Sequence, residues 1–130
     1  MLQIDRFSQT PIYEQVISQM EHLISSGILP TDTPLPSVRS LSQELQINPN
    51  TLQKAYAELE RRGHCYSVPG TGRFVAAGAA EALQKARAEE ALSEITLLGR
   101  RLNSVGVPLE KAQEALTKGY TSHNAPPNEE

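Results

Sequence analysis

The chain has 130 residues, 38% hydrophobic and 21% charged, with a formal net charge of −3. That length favours one domain plus an appendage, with enough apolar residues for one modest core and not for two. A single Cys excludes an internal disulfide and makes a reducing cytoplasm the expected setting, the lack of Trp argues against a large cofactor pocket, and no apolar run is as long as a membrane span.

Leu2-Gln3-Ile4-Asp5 reads as a short strand or an extended arm. Thr10-Pro11 marks a helix start, with Thr as the N-cap and Pro in the first turn, where its missing N–H costs nothing. Tyr13, Val16, Ile17, Met20, Leu23 and Ile24 form one apolar stripe at helical spacing, and Gly27 and Pro30 stop it, which predicts a helix from Pro11 to Ser26. Leu29 to Pro36 carries three prolines and should be extended. Ser37 caps a second helix with Val38, Leu41 and Leu45 turned inward. Asn48-Pro49 repeats the cap-then-proline signal and opens a third, whose Leu52, Ala55, Tyr56 and Leu59 face the core and which Gly63 ends. Only Gln46 and Ile47 separate the two, so they must cross steeply, as a helix-turn-helix does. Cys65 to Val68 and Phe74-Val75 then read as strands around Pro69-Gly70-Thr71-Gly72, a turn rich in residues that accept unusual φ.

After Ala76 the composition shifts to Ala, Glu, Leu and Arg, with no Gly from Ala79 until Gly99. Ala88, Ala91, Ile95, Leu98, Leu102 and Val105 step by three and four, a heptad-like seam. Gly106-Val107-Pro108 turns the chain into a short last helix with Leu109, Ala112 and Leu116 on one side. The polar tail from Thr121 is expected to be disordered. The fold class is therefore α+β, mostly α: a winged helix-turn-helix over residues 1–77, a helical dimerisation region over 78–120, and a disordered tail over 121–130.

The third helix opens with Asn48, Asn50, Thr51, Gln53 and Lys54 on its exposed side. Asn and Gln pair a donor with an acceptor, which matches adenine in the major groove, and the Thr methyl can touch thymine. A helix N-terminus also offers N–H groups to phosphate. Arg39, early in the second helix, can anchor a phosphate or reach guanine. At the wing, Gly70 and Gly72 allow close backbone approach, with Thr71 between them among the expected contacts, and Arg73 can enter a minor groove or bind phosphate. Read singly, Asn48 is a cap, Gln53 and Lys54 a solvated face, and the glycines an ordinary turn. It is their order along one chain that points to DNA. The net negative charge opposes this, yet what matters is the local field, and residues 1–77 hold six basic groups: Arg6, Arg39, Lys54, Arg61, Arg62 and Arg73.

Leu35-Pro36-Ser37-Val38-Arg39-Ser40-Leu41, Asn48-Pro49-Asn50-Thr51-Leu52-Gln53-Lys54-Ala55-Tyr56, Leu59-Glu60-Arg61-Arg62-Gly63 and Gly70-Thr71-Gly72-Arg73-Phe74-Val75 resemble the GntR family of bacterial regulators. The Asn-Pro-Asn-Thr tract and the short C-terminal extension resemble its YtrA subfamily. By position, the resemblance implies DNA contacts at Arg39, at Asn48, Asn50, Thr51 and Gln53, and at Gly70 in the wing. Many relatives carry Arg where Pro49 and Gln53 stand here, so base preference is expected to differ and electrostatic affinity to be lower. The resemblance also implies a repressor of an operon with membrane transporter genes.

About fifty-five residues follow Val75, too few to enclose a metabolite pocket in one chain. The heptad seam is better suited to a homodimer, which places two reading heads on a palindromic operator. The expected partners are thus double-stranded DNA and a second copy, with no membrane. A small-molecule effector would need to distinguish two dimer geometries, and no residue marks its site. His22, His64 and His123 lack metal-ligand spacing to each other or to Cys65, so neither metal nor cofactor is expected. Cys65 reads as a small buried apolar residue, and Glu58, Glu60, Glu89, Glu90 and Glu94 as charged helix faces. No catalytic constellation is legible, and an enzyme is not expected. The alternative is a winged-helix protein-interaction module that docks a partner through its C-terminal helix.

Overall fold

The computed structural model describes residues 2–122, so the expected tail lies outside the described residues from position 123 onward. The order is α1 (Ile12–Ser25), α2 (Val38–Leu45), α3 (Pro49–Arg61), β1 (Cys65–Val68), β2 (Gly72–Val75), α4 (Ala79–Ser104) and α5 (Leu109–Thr121). The chain divides into two compact units, one ending at Ala86 and the other beginning at Arg87.

The first unit closes around the apolar stripes. Val16, Met20, Leu52, Ala55 and Leu59 are wholly buried, and Ile24, Tyr56 and Val75 are 1% exposed. Each large side chain so buried contributes about 1.5–3 kcal/mol before entropy is counted. Ala79 and Leu83, from the first turns of α4, belong to this core, and the Gln84 amide donates to the Ser25 carbonyl at 2.8 Å.

Leu2 to Asp5 is an extended arm and not a strand. It runs beside α1 through two glutamines that act as surrogate peptide groups. Gln19 exchanges hydrogen bonds with the Gln3 backbone (2.9 and 2.6 Å), and Gln15 does so with that of Asp5 (2.8 and 2.9 Å). The same Gln15 amide also takes the Thr10 carbonyl at 2.8 Å. This corrects the expected start of the first helix: Pro11 occupies the N-cap with no side-chain cap, and Thr10 is held by its backbone. The end is as expected, with Gly27 left-handed at φ +84 just past the cap.

In the second unit, α4 ends by reversing at Gly106 (φ +85), where Val107 N–H reaches the Leu102 carbonyl and Gly106 N–H that of Asn103, the paired bonds of a Schellman stop. This turn leads the remainder of α4 into α5. Ile95, Leu98 and Leu102 face Leu109, Ala112 and Leu116 across an apolar groove of about 370 Å³ that opens to solvent.

Candidate nucleic-acid interface

The turn between α2 and α3 is built from three capping devices. At the start of α2, Ser37 Oγ accepts from Ser40 N–H at 3.0 Å. At its end, Gln46 adopts the left-handed conformation (φ +55), which costs a non-glycine residue energy and so requires support. Arg6 supplies it: one guanidinium nitrogen donates to the carbonyls of Leu45 and Gln46 at 2.7 and 2.8 Å, placing a cation on the negative end of the helix. Asn48 then caps α3, its Oδ1 accepting from Asn50 N–H at 2.8 Å, with Pro49 in the first turn. Arg6 lies 39 and 40 residues from its partners. Nothing local in the sequence marks that role.

These caps fix which face of α3 looks outward. Leu52, Ala55, Tyr56 and Leu59 are buried, while Asn48, Asn50, Gln53 and Lys54 are exposed and Thr51 is half-buried. Ala57 continues the exposed face at helical spacing, a small side chain that lets the helix lie close to a surface. Sequence reasoning passed it over, although the 50-53-54-57 spacing was there to read. Among the described residues the side chains of Arg39, Asn50, Thr51, Gln53 and Lys54 make no hydrogen bond within the chain.

The wing pairs Cys65 with Val75, Tyr66 with Phe74, Ser67 with Arg73 and Val68 with Gly72. β2 therefore begins two residues earlier than Phe74, the expected start. Pro69 and the left-handed Gly70 (φ +76) occupy the central positions of a turn closed by Thr71 N–H on the Val68 carbonyl at 3.0 Å, the pattern of a type II turn. The proline-bearing segment before α2 adds to the other side of β2. Asp32 N–H donates to the Val75 carbonyl, Val75 N–H to that of Thr33, and Leu35 N–H to that of Arg73, at 2.8–2.9 Å. Tyr66 and Phe74 stack across the strands at 5.7 Å.

Arg73 is placed differently from the other expected DNA contacts. It lies in β2 and not in the turn, its side chain is 19% exposed, and its Nε pairs with Glu60 of α3 at 3.2 Å. Its guanidinium sits 5.7 Å from the Tyr56 ring centroid. Tyr56 in turn donates its hydroxyl to the Pro36 carbonyl at 2.8 Å, and burial pushes its pKa up.

The six cations of residues 1–77 can now be sorted. Arg6 caps α2. Arg61 and Arg62 both bind Glu58, Arg62 also binds Glu21 of α1 at 2.8 Å, and Arg73 binds Glu60. Arg39 and Lys54 have no carboxylate partner among the described residues, and both stand on the helix-turn-helix. Glu58 and Glu60 are correspondingly more than solvated faces. Hydrogen bonds from Arg61 and then Arg62 hold the Glu58 carboxyl down to about 2, and Ser67 and Arg73 lower that of Glu60.

The groups set aside remain unconnected to a reaction. Cys65 is 3% exposed, and burial pushes its thiol up to about 11, so it is a poor nucleophile near neutral pH. His64 is buried 3.4 Å from Glu21, its pKa lowered mainly by burial. Among the described residues no cluster of three or more His, Cys, Asp or Glu could hold a metal, and no helix is long and apolar enough to cross a membrane. Of the expected dimer seam, Ala88, Ala91, Ile95, Leu98 and Leu102 lie on α4 and Val105 just beyond it, 70% exposed.

Comparison with known proteins gives the geometry a context. The family described as "Bacterial regulatory proteins, gntR family" matches residues 12–75. The chain is 40% identical over 114 residues to the HTH-type transcriptional repressor YtrA of Bacillus subtilis, covering 88% of each. Among solved structures, a GntR family transcriptional regulator from Listeria monocytogenes superposes with a TM-score of 0.70 at 30% identity, over 85% of this chain and 96% of that one. The DNA-binding domain of AraR in complex with operator ORX1 matches 58% of this chain and 96% of its own, with a TM-score of 0.53 and 31% identity.

Proposed function

Because the chain belongs to the GntR family of bacterial regulatory proteins, DNA-binding regulators of transcription, we propose that it is a cytoplasmic repressor that binds a palindromic operator as a homodimer. Helix α3 enters the major groove, where Asn48, Asn50, Thr51 and Gln53 read base edges and Lys54 meets phosphate. Arg39 anchors α2 to the backbone, and Gly70 and Thr71 bring the wing turn against the adjacent strand. Dimerisation runs through the α4–α5 groove and the seam that includes Ile95, Leu98 and Leu102. Repression follows from occupying a promoter. The likeness to a repressor named YtrA supports this direction, and the resemblance of the Asn-Pro-Asn-Thr tract and short C-terminal extension to the YtrA subfamily implies an operon with membrane transporter genes.

One observation carries the proposal. Of six cations in the first 77 residues, four are tied within the chain, and the other two, Arg39 and Lys54, whose side chains make no hydrogen bond or salt bridge among the described residues, flank an amide-rich helix tip. Within residues 1–77 of this net-acidic protein, the cations left unpaired thus stand on the helices that would meet phosphate. The test is fluorescence anisotropy on DNA from upstream of the gene, with scrambled DNA as competitor, across a salt series. Binding should survive the competitor and weaken with salt, log K falling by about 0.9 per phosphate contact for each decade. Gln53→Ala should lower operator affinity by about 1–3 kcal/mol with little change on scrambled DNA, whereas Arg39→Ala should weaken both and flatten the salt slope by about one. Equal losses on both DNAs from the two variants would overturn base reading by α3. No preference for operator at any salt would favour the interaction module.

A further inference from the structure

We infer that Glu60 is a positioning residue that locks the wing onto the reading helix, and that Arg73 serves this lock instead of contacting DNA itself. The inference rests on the DNA-binding reading above. Glu60 Oε1 accepts from Ser67 Oγ at 2.8 Å and from Arg73 Nε at 3.2 Å. Ser67 and Arg73 are direct cross-strand partners, so a single oxygen on α3 holds both strands of the wing at one rung. Gly70, at the apex of the turn, lies three residues beyond each of them. The lock therefore sets the root from which the wing turn projects.

The remaining bonds extend the lock to α2. Arg73 stacks over Tyr56, one helical turn before Glu60, and Tyr56 holds the Pro36 carbonyl immediately ahead of the Ser37 cap. Ser67, Glu60, Arg73, Tyr56 and Pro36 thus form one chain of contacts linking wing, reading helix and the approach to α2. A two-stranded hairpin is marginal by itself, so its angle to α3 must come from such ties. A carboxylate beside a DNA-facing surface would ordinarily repel phosphate. Here its charge is matched by a guanidinium whose side chain is four-fifths buried and which has little surface left to offer a groove.

The two roles for Arg73 predict opposite signs for one substitution. Glu60→Gln keeps the shape and the acceptor for Ser67 but removes the charge that restrains Arg73. If Arg73 contacted DNA, its release would tighten binding to operator and scrambled DNA alike and steepen the salt slope. As a lock, the same change should lower operator affinity about 5- to 20-fold while leaving scrambled-DNA affinity and salt slope at wild-type values. Ser67→Ala removes one bond and no charge and should shift preference in the same direction by less. The exchange Glu60→Arg with Arg73→Glu should regain part of the lost preference, since it rebuilds the pair with its signs reversed. Circular dichroism melts would show which variants are folded, and the exchange and Ser67→Ala carry the test should Glu60→Gln fail to fold. Tighter binding with a steeper slope, or unchanged preference in all three variants, would overturn the lock. A wild type without operator preference would instead remove the reading on which the lock rests.

Discussion

The two units of this chain use the same kinds of residue to different ends. Before Ala86, most leucines and isoleucines enter the core, Ile28 at 58% exposure being the exception: Leu52 and Leu59 are fully buried and Ile24 is 1% exposed. After Arg87, Ile95, Leu98 and Leu116 remain 41–45% exposed and Leu109 68%, and α5 buries no residue at all. The charges differ as well. In the first unit Glu21, Glu58 and Glu60 each hold arginines, and every salt bridge among the described residues lies there. The first unit is a finished body whose hydrophobic gain is realised within one chain. The second leaves apolar side chains in an open groove, which a second copy would cover on the reading proposed above. If a second copy meets the groove as proposed, the tasks separate: reading geometry is set within one chain, and affinity by association.

The strongest way to break this comparison is Leu98→Asp. A charge in the groove should abolish association in light scattering and cut operator affinity roughly a hundred- to ten-thousand-fold, because two linked reading heads become one. The melting of the first unit should hardly move. A wild type that scatters as a monomer, or a variant that still scatters as a dimer, would refute the groove as a self-association surface. The converse substitution, Leu59→Ala, should destabilise the first unit by about 2–5 kcal/mol in urea unfolding, through lost burial and the cavity left behind, without altering association. A smaller effect comes from acid. Glu58 titrates near 2 in the folded state against an ordinary 4.5, so its contribution is complete above 4.5 and is lost as pH falls toward 2. First-unit stability measured by denaturant across that window should therefore decline more steeply than in Glu58→Gln, whereas association through the apolar groove should respond less.

What was legible in the sequence was local. Caps one to three residues from their targets, such as Ser37 and Asn48, and stripes at helical spacing, such as Leu52 to Leu59, gave α2, α3 and their outward faces nearly residue by residue. The wing turn was readable because Pro69-Gly70 has few alternatives. Contacts between distant segments were not readable. Leu29 to Pro36 reads as extended, but nothing local shows what it meets; Asp32, Thr33 and Leu35 bond to β2 because the residues between the prolines still carry N–H and carbonyl groups. Thr10 looked like a cap because the amide of Gln15, folded back onto it, is invisible in a linear reading. Arg6 and Glu60 failed to stand out for the same reason: an exposed arginine and a helix glutamate acquire their roles only once other elements arrive.

The burial of Cys65 has a practical side. It is the sole thiol in the chain, seated under the Tyr56 carbonyl with its Sγ 3.9 Å away. Because the folded state conceals it, a thiol reagent can modify it only during an opening of the first unit, and the labelling rate becomes a clock for that opening. DNA that binds only the closed form should slow the clock by about the ratio of its concentration to its dissociation constant. The reading domain thereby carries its own reporter of occupancy, one atom per protomer, with no label to be designed.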